Sequence, residues 1–138
     1  MTNMLVLGSN GMLGGEAVEY FGGMPGYSVK GVNRDGRSRF EDIVLSHLST
    51  GIYDWCVNCA AMTDTAGAET MPYKRLQSLE ANVMLPAKIA KSCHDNGVRL
   101  IHFSTNYAFG GEHADFLIPD TAKPSPIGVY GKHKVLGE

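Results

Sequence analysis

The chain has 138 residues, a length that fits one domain with a single core and leaves little room for a second. Hydrophobic residues make up 43% and charged residues 19%, which disfavours disordered and fibrous classes, and a net charge of -2 offers no basic face for a nucleic-acid backbone. No apolar run approaches the ~20 residues that span a bilayer, and the start Met1-Thr2-Asn3 lacks the basic flank of a secretory signal. A cytoplasmic protein without nucleic-acid or membrane partners is expected.

The first apolar run, Met4 to Leu7, predicts a strand and leads directly into Gly8-Ser9-Asn10-Gly11-Met12-Leu13-Gly14, where a helix from about Met12 to Phe21 begins. Glycines here permit a tight turn, close approach of backbone to a pyrophosphate, and close packing of helix on strand, while the helix N-terminus offers N–H donors and positive dipole. A purely structural turn has the same composition, and it is the placement between strand and helix that favours phosphate binding. A second strand, Val29 to Val32, runs into Asn33-Arg34-Asp35, with Arg37 and Arg39 beyond. The end of such a strand reads the adenine ribose, through an acid for a free 2′-hydroxyl or an arginine for a 2′-phosphate. Arg34 points to NADP(H) and Asp35 to NAD(H), and both also suit a solvated charged loop.

A short helix around Ile43 to Leu48 precedes the third strand, Trp55 to Asn58. Cys56 and Cys59 have C-x-x-C spacing without a second ligand pair nearby, and an odd total of three cysteines suits reduced thiols, so they read as buried small hydrophobes and no metal is expected. The small residues of Asn58-Cys59-Ala60-Ala61-Met62-Thr63 leave room for a flat cofactor and equally suit close packing. A long helix is predicted from about Tyr73 to Asp95. Leu76, Leu79, Val83, Ala90 and Cys93 form its packed stripe, and Lys74, Glu80, Lys88 and Lys91 its wet face. Pro86 should remove one ladder hydrogen bond and bend this helix, and Asn96-Gly97 should end it.

The fourth strand, Leu100 to Phe103, leads into Ser104-Thr105-Asn106-Tyr107-Ala108-Phe109-Gly110-Gly111, and Gly110 to Pro126 reads as a surface loop. Tyr130 and Lys134, four apart, share one helix face, a spacing that an ordinary surface pair also has. All four strands are apolar enough to predict burial on both faces, and their alternation with helices predicts an α/β fold, a Rossmann-like parallel sheet with flanking helices.

These motifs resemble the extended short-chain dehydrogenase/reductase family, in its dTDP-4-dehydrorhamnose reductase group. The resemblance rests on the three-and-three glycine spacing, the Asn58 to Thr63 run, the Ser104 to Gly111 run, and Pro124-Ser125-Pro126-Ile127-Gly128-Val129-Tyr130-Gly131-Lys132-His133-Lys134 with Gly137-Glu138 continuing it. It implies hydride transfer between NADP(H), or NAD(H), and a nucleotide-activated 4-keto sugar. The cofactor would be held by Gly8, Asn10, Gly11, Met12, Leu13, Gly14, Asn33, Arg34, Asp42, Ile43, Ala60, Ala61, Met62, Tyr130 and Lys134, with Asp42-Ile43 beside the adenine and Ala60-Ala61-Met62 beneath the nicotinamide ribose. Tyr130 would protonate the carbonyl oxygen, Lys134 would lower its pKa, and Thr105 would supply a second donor. Asn106 would face the substrate where members commonly carry aspartate.

The same scaffold also serves as a non-catalytic dinucleotide-binding or regulatory module, and as an epimerase or dehydratase. Family members are about twice this length, and the motifs match in order from residue 4 to residue 138. The whole chain therefore reads as an NAD(P)-binding domain, incomplete at its C-terminus and without the substrate-binding lobe. The cofactor crevice is expected where strand order reverses, between the first and fourth strands. An apolar fourth strand left at the sheet edge predicts homo-oligomers joined through it, with His102 as a packed or edge histidine.

Overall fold

The computed structural model describes residues 1–110 and 121–138; the segment 111–120 of the expected surface loop, with Gly111, lies outside the described residues. The chain divides into two compact units, one of residues 1–61 and 85–103, the other of residues 62–84 and 104–138. Among the described residues, no helix is long and apolar enough to cross a membrane.

The first unit is a four-stranded parallel sheet in the order β2-β1-β3-β4, with β1 Thr2–Leu7, β2 Tyr27–Val32, β3 Trp55–Asn58 and β4 Arg99–His102. Alternation of side chains along β1 splits its apolar residues between two layers. Leu5 and Leu7, with Cys56 of β3, pack on Val44 and Leu48 of α2 (Phe40–Leu48) and on Leu85, Ile89 and Cys93 of α5 (Leu85–Asp95). Met4, Val6 and Val57 face Ala17, Val18 and Phe21 of α1 (Met12–Gly22). Fully burying each such side chain contributes on the order of 1.5–3 kcal/mol, which is why the apolar run of the two central strands extends up to Asn58.

The expectation of four strands buried on both faces holds only for the central pair. Ser28 and Lys30 of β2 are exposed, and Ile101 of β4 and the following Phe103 are each 39% exposed, because edge strands have a neighbour on one side and receive less cover from the helices. The expected place of the strand-order reversal is also corrected. Leu7 pairs with Asn58 and Asn58 with His102, so the order reverses between β1 and β3, and β4 lies outside β3. One strand, β2, is wound to one side of β1 before the chain crosses over, and each later strand is added on the other side.

The second unit contains α3 (Thr65–Thr70), α4 (Pro72–Leu79), a π-helical segment Glu80–Met84, a 3-10 segment Asn106–Ala108 and α6 (Val129–Leu136). Helix α3 is not foreseen in the sequence, although its signal is there: Asp64 caps it, accepting the Gly67 N–H at 2.8 Å. Met71 ends α3 in an extended conformation, as a residue before proline must, and Pro72 opens α4 at its first turn.

The single helix predicted over Tyr73 to Asp95 is thus interrupted, by five π-helical residues placed shortly before Pro86. The buried residues differ from the expected stripe. Ser78, Asn82, Leu85, Pro86, Ile89 and Cys93 are buried, whereas Leu76 and Ala90 of the expected stripe are exposed. Gly97, with φ +69°, closes α5 as expected, its own N–H bonding His94 O while Val98 N–H reaches Cys93 O at 2.8 Å.

Candidate functional site

In the first unit, β1 ends on Gly8, whose φ of +76° only glycine adopts without cost; a Cβ at this position would fall 2.9 Å from the Ala60 backbone nitrogen. The carboxyl ends of β1 and β3 therefore approach more closely than side chains would allow. A Cβ at Gly14 would lie 2.3 Å from Gly8 O, so this glycine lets α1 start directly against the turn. Gly11 N–H bonds back to Gly8 O at 3.0 Å and Gly15 N–H to Gly11 O at 2.8 Å. The first turn of α1 has no side-chain cap and no acidic residue, and Met12 and Leu13 are exposed. A cradle of uncapped amides with positive dipole, kept open by glycines, fits a pyrophosphate.

Asn33 is committed to this turn. Its Oδ1 accepts Asn10 N–H at 2.8 Å and its Nδ2 donates to Ser9 Oγ at 2.6 Å, so it braces the glycine loop from the end of β2. Ser9 in turn fills the space above Gly31, where a Cβ would meet its Oγ at 2.5 Å. Asp35 is occupied as well, its Oδ1 accepting the Ser38 and Arg37 N–H groups at 2.8 Å each. Those bonds hold its carboxyl below the usual carboxylate range. Arg34 remains exposed beside it. Asp42 lies exposed in the first turn of α2, and Ile43 packs against the core.

At the end of β3, Asn58 is buried, accepts Ala60 N–H at 3.1 Å and shares a 3.0 Å contact with His102 Nδ1. Ala60 is half-buried and Ala61 exposed. Cys56 is buried with its thiol pKa pushed up, first by its hydrogen bond to Cys93 and then by burial, which leaves it unreactive.

The second unit gathers the other expected residues. Thr105 caps the 3-10 segment, its Oγ1 accepting Tyr107 N–H at 3.2 Å, so its hydroxyl hydrogen is available to donate elsewhere; Asn106 is exposed. Tyr130 and Lys134 do share α6. Tyr130 is half-buried, edge-on to Tyr107 with ring centroids 5.6 Å apart. Lys134 is 4% exposed, and burial lowers its pKa against the opposing pull of Glu138. Thr65, Glu69, Tyr107, Phe109, Ile127 and Tyr130 line a cleft of about 360 Å³.

Four residues in this unit escape the sequence reading. Buried Asn82 accepts Met62 N–H at 3.0 Å and donates to Met62 O at 2.9 Å and to Ser78 Oγ at 3.1 Å. Ser78 Oγ lies 3.0 Å from His133 Nδ1 on α6. Burial, with Arg75, lowers the His133 pKa against the opposing pull of Glu69. Glu69 accepts Val129 N–H at the start of α6. The available signal is a pair of polar residues, Ser78 and Asn82, four apart and so on one helix face.

A sequence model described as RmlD substrate binding domain matches residues 1–138. The chain is 33% identical to the probable low-salt glycan biosynthesis reductase Agl14 of Haloferax volcanii, over 96% of this chain and 46% of that protein. It is also 33% identical to the dTDP-4-keto-6-deoxy-D-glucose reductase of Streptomyces niveus, over 97% of this chain and 45% of that one. Among solved structures, a dTDP-4-dehydrorhamnose reductase from Clostridium acetobutylicum superposes with a TM-score of 0.86 at 24% identity, covering 99% of this chain and 47% of that one. One from Bacillus anthracis in complex with NADP gives 0.79 at 22%, covering 99% and 48%. At these identities the structures establish the shared fold. The chain spans about half the length of the curated relatives it matches over nearly its whole length. With its parallel sheet, its glycine turn and a family match running from the first residue to the last, the chain belongs to the RmlD substrate binding domain family.

Proposed function

We propose that residues 1–138 are the dinucleotide-binding part of an NAD(P)-dependent reductase of a nucleotide-activated 4-keto sugar, of the dTDP-4-dehydrorhamnose reductase kind, acting in the cytoplasm. The observation that carries this reading is the furnishing of the second unit: half-buried Tyr130 and buried Lys134 on one helix, with Thr105 holding a hydroxyl hydrogen ready to donate. When bound, the nicotinamide supplies the hydride. Tyr130 donates its phenolic proton to the carbonyl oxygen as charge develops there, and Thr105 donates a hydrogen bond to the same oxygen. Lys134, buried on the same helix with its pKa lowered by that burial, would hold the nicotinamide ribose hydroxyls. Gly8, Gly11 and Gly14 keep the α1 turn open for the pyrophosphate.

Titrating NADPH and NADH by fluorescence, then adding dTDP-4-keto sugar and following nicotinamide absorbance, tests the reading. Oxidation supports it; binding without oxidation supports a regulatory module instead. NADPH is favoured because Asp35 spends its carboxylate on its own loop, leaving exposed Arg34 to meet a 2′-phosphate. Arg34→Ala is expected to weaken NADPH by roughly tenfold or more, the scale of a charge-assisted hydrogen bond, with little change for NADH. Equal effects on both would remove the assignment.

Exposed Ile101 and Phe103 at the β4 edge support association with a second copy through that strand. Sedimentation at micromolar concentration is expected to show a dimer, and Ile101→Lys a monomer.

A further inference from the structure

Helix α6 presents Tyr130 at its second residue, so the direction of the phenol depends on how the first turn is held. Two of the places where α6 meets its surroundings are backbone approaches. A Cβ at Gly131 would lie 2.2 Å from Tyr107 O, and one at Gly137 would lie 2.1 Å from Asn82 O. The first residue is fastened differently. The residue preceding α6, Gly128, has no side chain to cap it, and Val129 N–H is taken by Glu69 Oε1 from α3. Gly128 is what lets the carboxylate reach, since a Cβ there would sit 2.6 Å from that oxygen.

Glu69 is itself anchored. Arg75 of α4 donates from Nη2 to Glu69 O at 2.7 Å and from Nε to Ala68 O at 3.2 Å, fixing the last turn of α3. A carboxylate at a helix N-terminus also meets the positive end of the helix dipole. Glu69 and Tyr130 line the same cleft.

We propose that Glu69 is a positioning residue, which by accepting Val129 N–H sets the rotation of the first turn of α6 and so the aim of the Tyr130 phenol. Gly131, one residue past Tyr130, and Gly137 at the end of the helix are held by backbone contact. At the first residue of the helix, the amide of Val129 is held by the Glu69 side chain. The activity readout rests on the reductase reading above; the structural readout does not.

The test uses the full chain with Glu69→Ala, Glu69→Gln and Gly128→Ala. Hydrogen exchange of the α6 amides is expected to quicken roughly three- to tenfold in the first turn of Glu69→Ala and Gly128→Ala, the loss of a cap. Glu69→Gln, which keeps an acceptor oxygen, should stay near wild type. In turnover, Glu69→Ala is expected to lower kcat by roughly 10- to 100-fold through misplacement of the phenol, with the KM for NADPH unchanged and with rescue by Glu69→Gln. Unchanged exchange in both Glu69→Ala and Gly128→Ala would overturn the proposal, and so would faster exchange with unchanged kcat. A wild-type chain that reduces no keto sugar would overturn the reductase reading alone, and exchange would still decide the role of Glu69.

Discussion

Tyr130→Phe is expected to lower kcat for keto-sugar reduction by roughly 10²–10⁴-fold, the usual worth of a positioned general acid. The substitution removes only the phenolic hydroxyl. The ring stays edge-on to Tyr107, at the 5.6 Å centroid distance that packs it, so thermal unfolding should match wild type. NADPH affinity should change little, because phosphate recognition is assigned to the α1 turn. Stopped-flow reduction and fluorescence titration on the same preparation separate the two effects. A Tyr130→Phe chain within twofold of wild type would show that another group delivers the proton, and the reductase reading would lose its acid.

The second large effect belongs to the glycine turn and separates two adjacent residues. Gly14→Ala places a methyl group 2.3 Å from Gly8 O, 2.8 Å from Gly8 C and 3.0 Å from Ser9 Cα. All three are backbone atoms of a turn already bound by Asn33, so α1 has to move off the strand end. Overpacking of this kind costs about 1–3 kcal/mol, and the displaced amides should weaken NADPH at least tenfold. One residue later, Gly15→Ala meets nothing closer than Ser9 O at 3.5 Å, an ordinary contact, within α1. Alanine there is expected to stabilise by about 0.5–1 kcal/mol through helix propensity, with cofactor affinity retained. Urea unfolding with parallel NADPH titration checks the pair. If the two substitutions behaved alike, the close approach at Gly14 would not be what shapes the turn.

That contrast shows what kind of information each level holds. The glycine spacing at 8, 11 and 14 is legible in sequence because a strand, a tight turn and a helix start leave a local pattern. Which glycine is sterically indispensable is not, since the answer lies in the distance from one Cβ to a backbone oxygen six residues earlier. Asn33 and Asp35 show the same division. Both are visible after β2, Asn33 as a candidate to hold the cofactor and Asp35 as one for the ribose. Only the folded loop reveals that one braces the turn through Ser9 and Asn10 while the other closes its own loop through the Arg37 and Ser38 amides.

The long helix departs from its periodicity for a physical reason. Hydrophobic period marks Leu76 and Ala90 as packed, but Ser78 and Asn82 are buried by polar partners in the second unit, Leu85, Ile89 and Cys93 by the sheet core of the first, and Leu76 and Ala90 stay exposed. Asn82 consequently ties Met62 to Ser78, and Ser78 to His133 on the helix of Tyr130 and Lys134. No spacing rule connects positions 62, 82 and 133.

By itself, the sequence determined the parallel α/β architecture, the four strands, the glycine turn between strand and helix and the placing of Tyr130 and Lys134 on one helix, because each is written in neighbouring residues through hydrophobic period, glycine placement and spacing. The tertiary structure alone decided that strand order reverses between β1 and β3, that the edge strands keep a wet side, and that Glu69 and Asn82 hold the segments around Tyr130. These features depend on groups that are far apart in the chain, and only the packing energy of the whole core brings such groups within a hydrogen bond of one another.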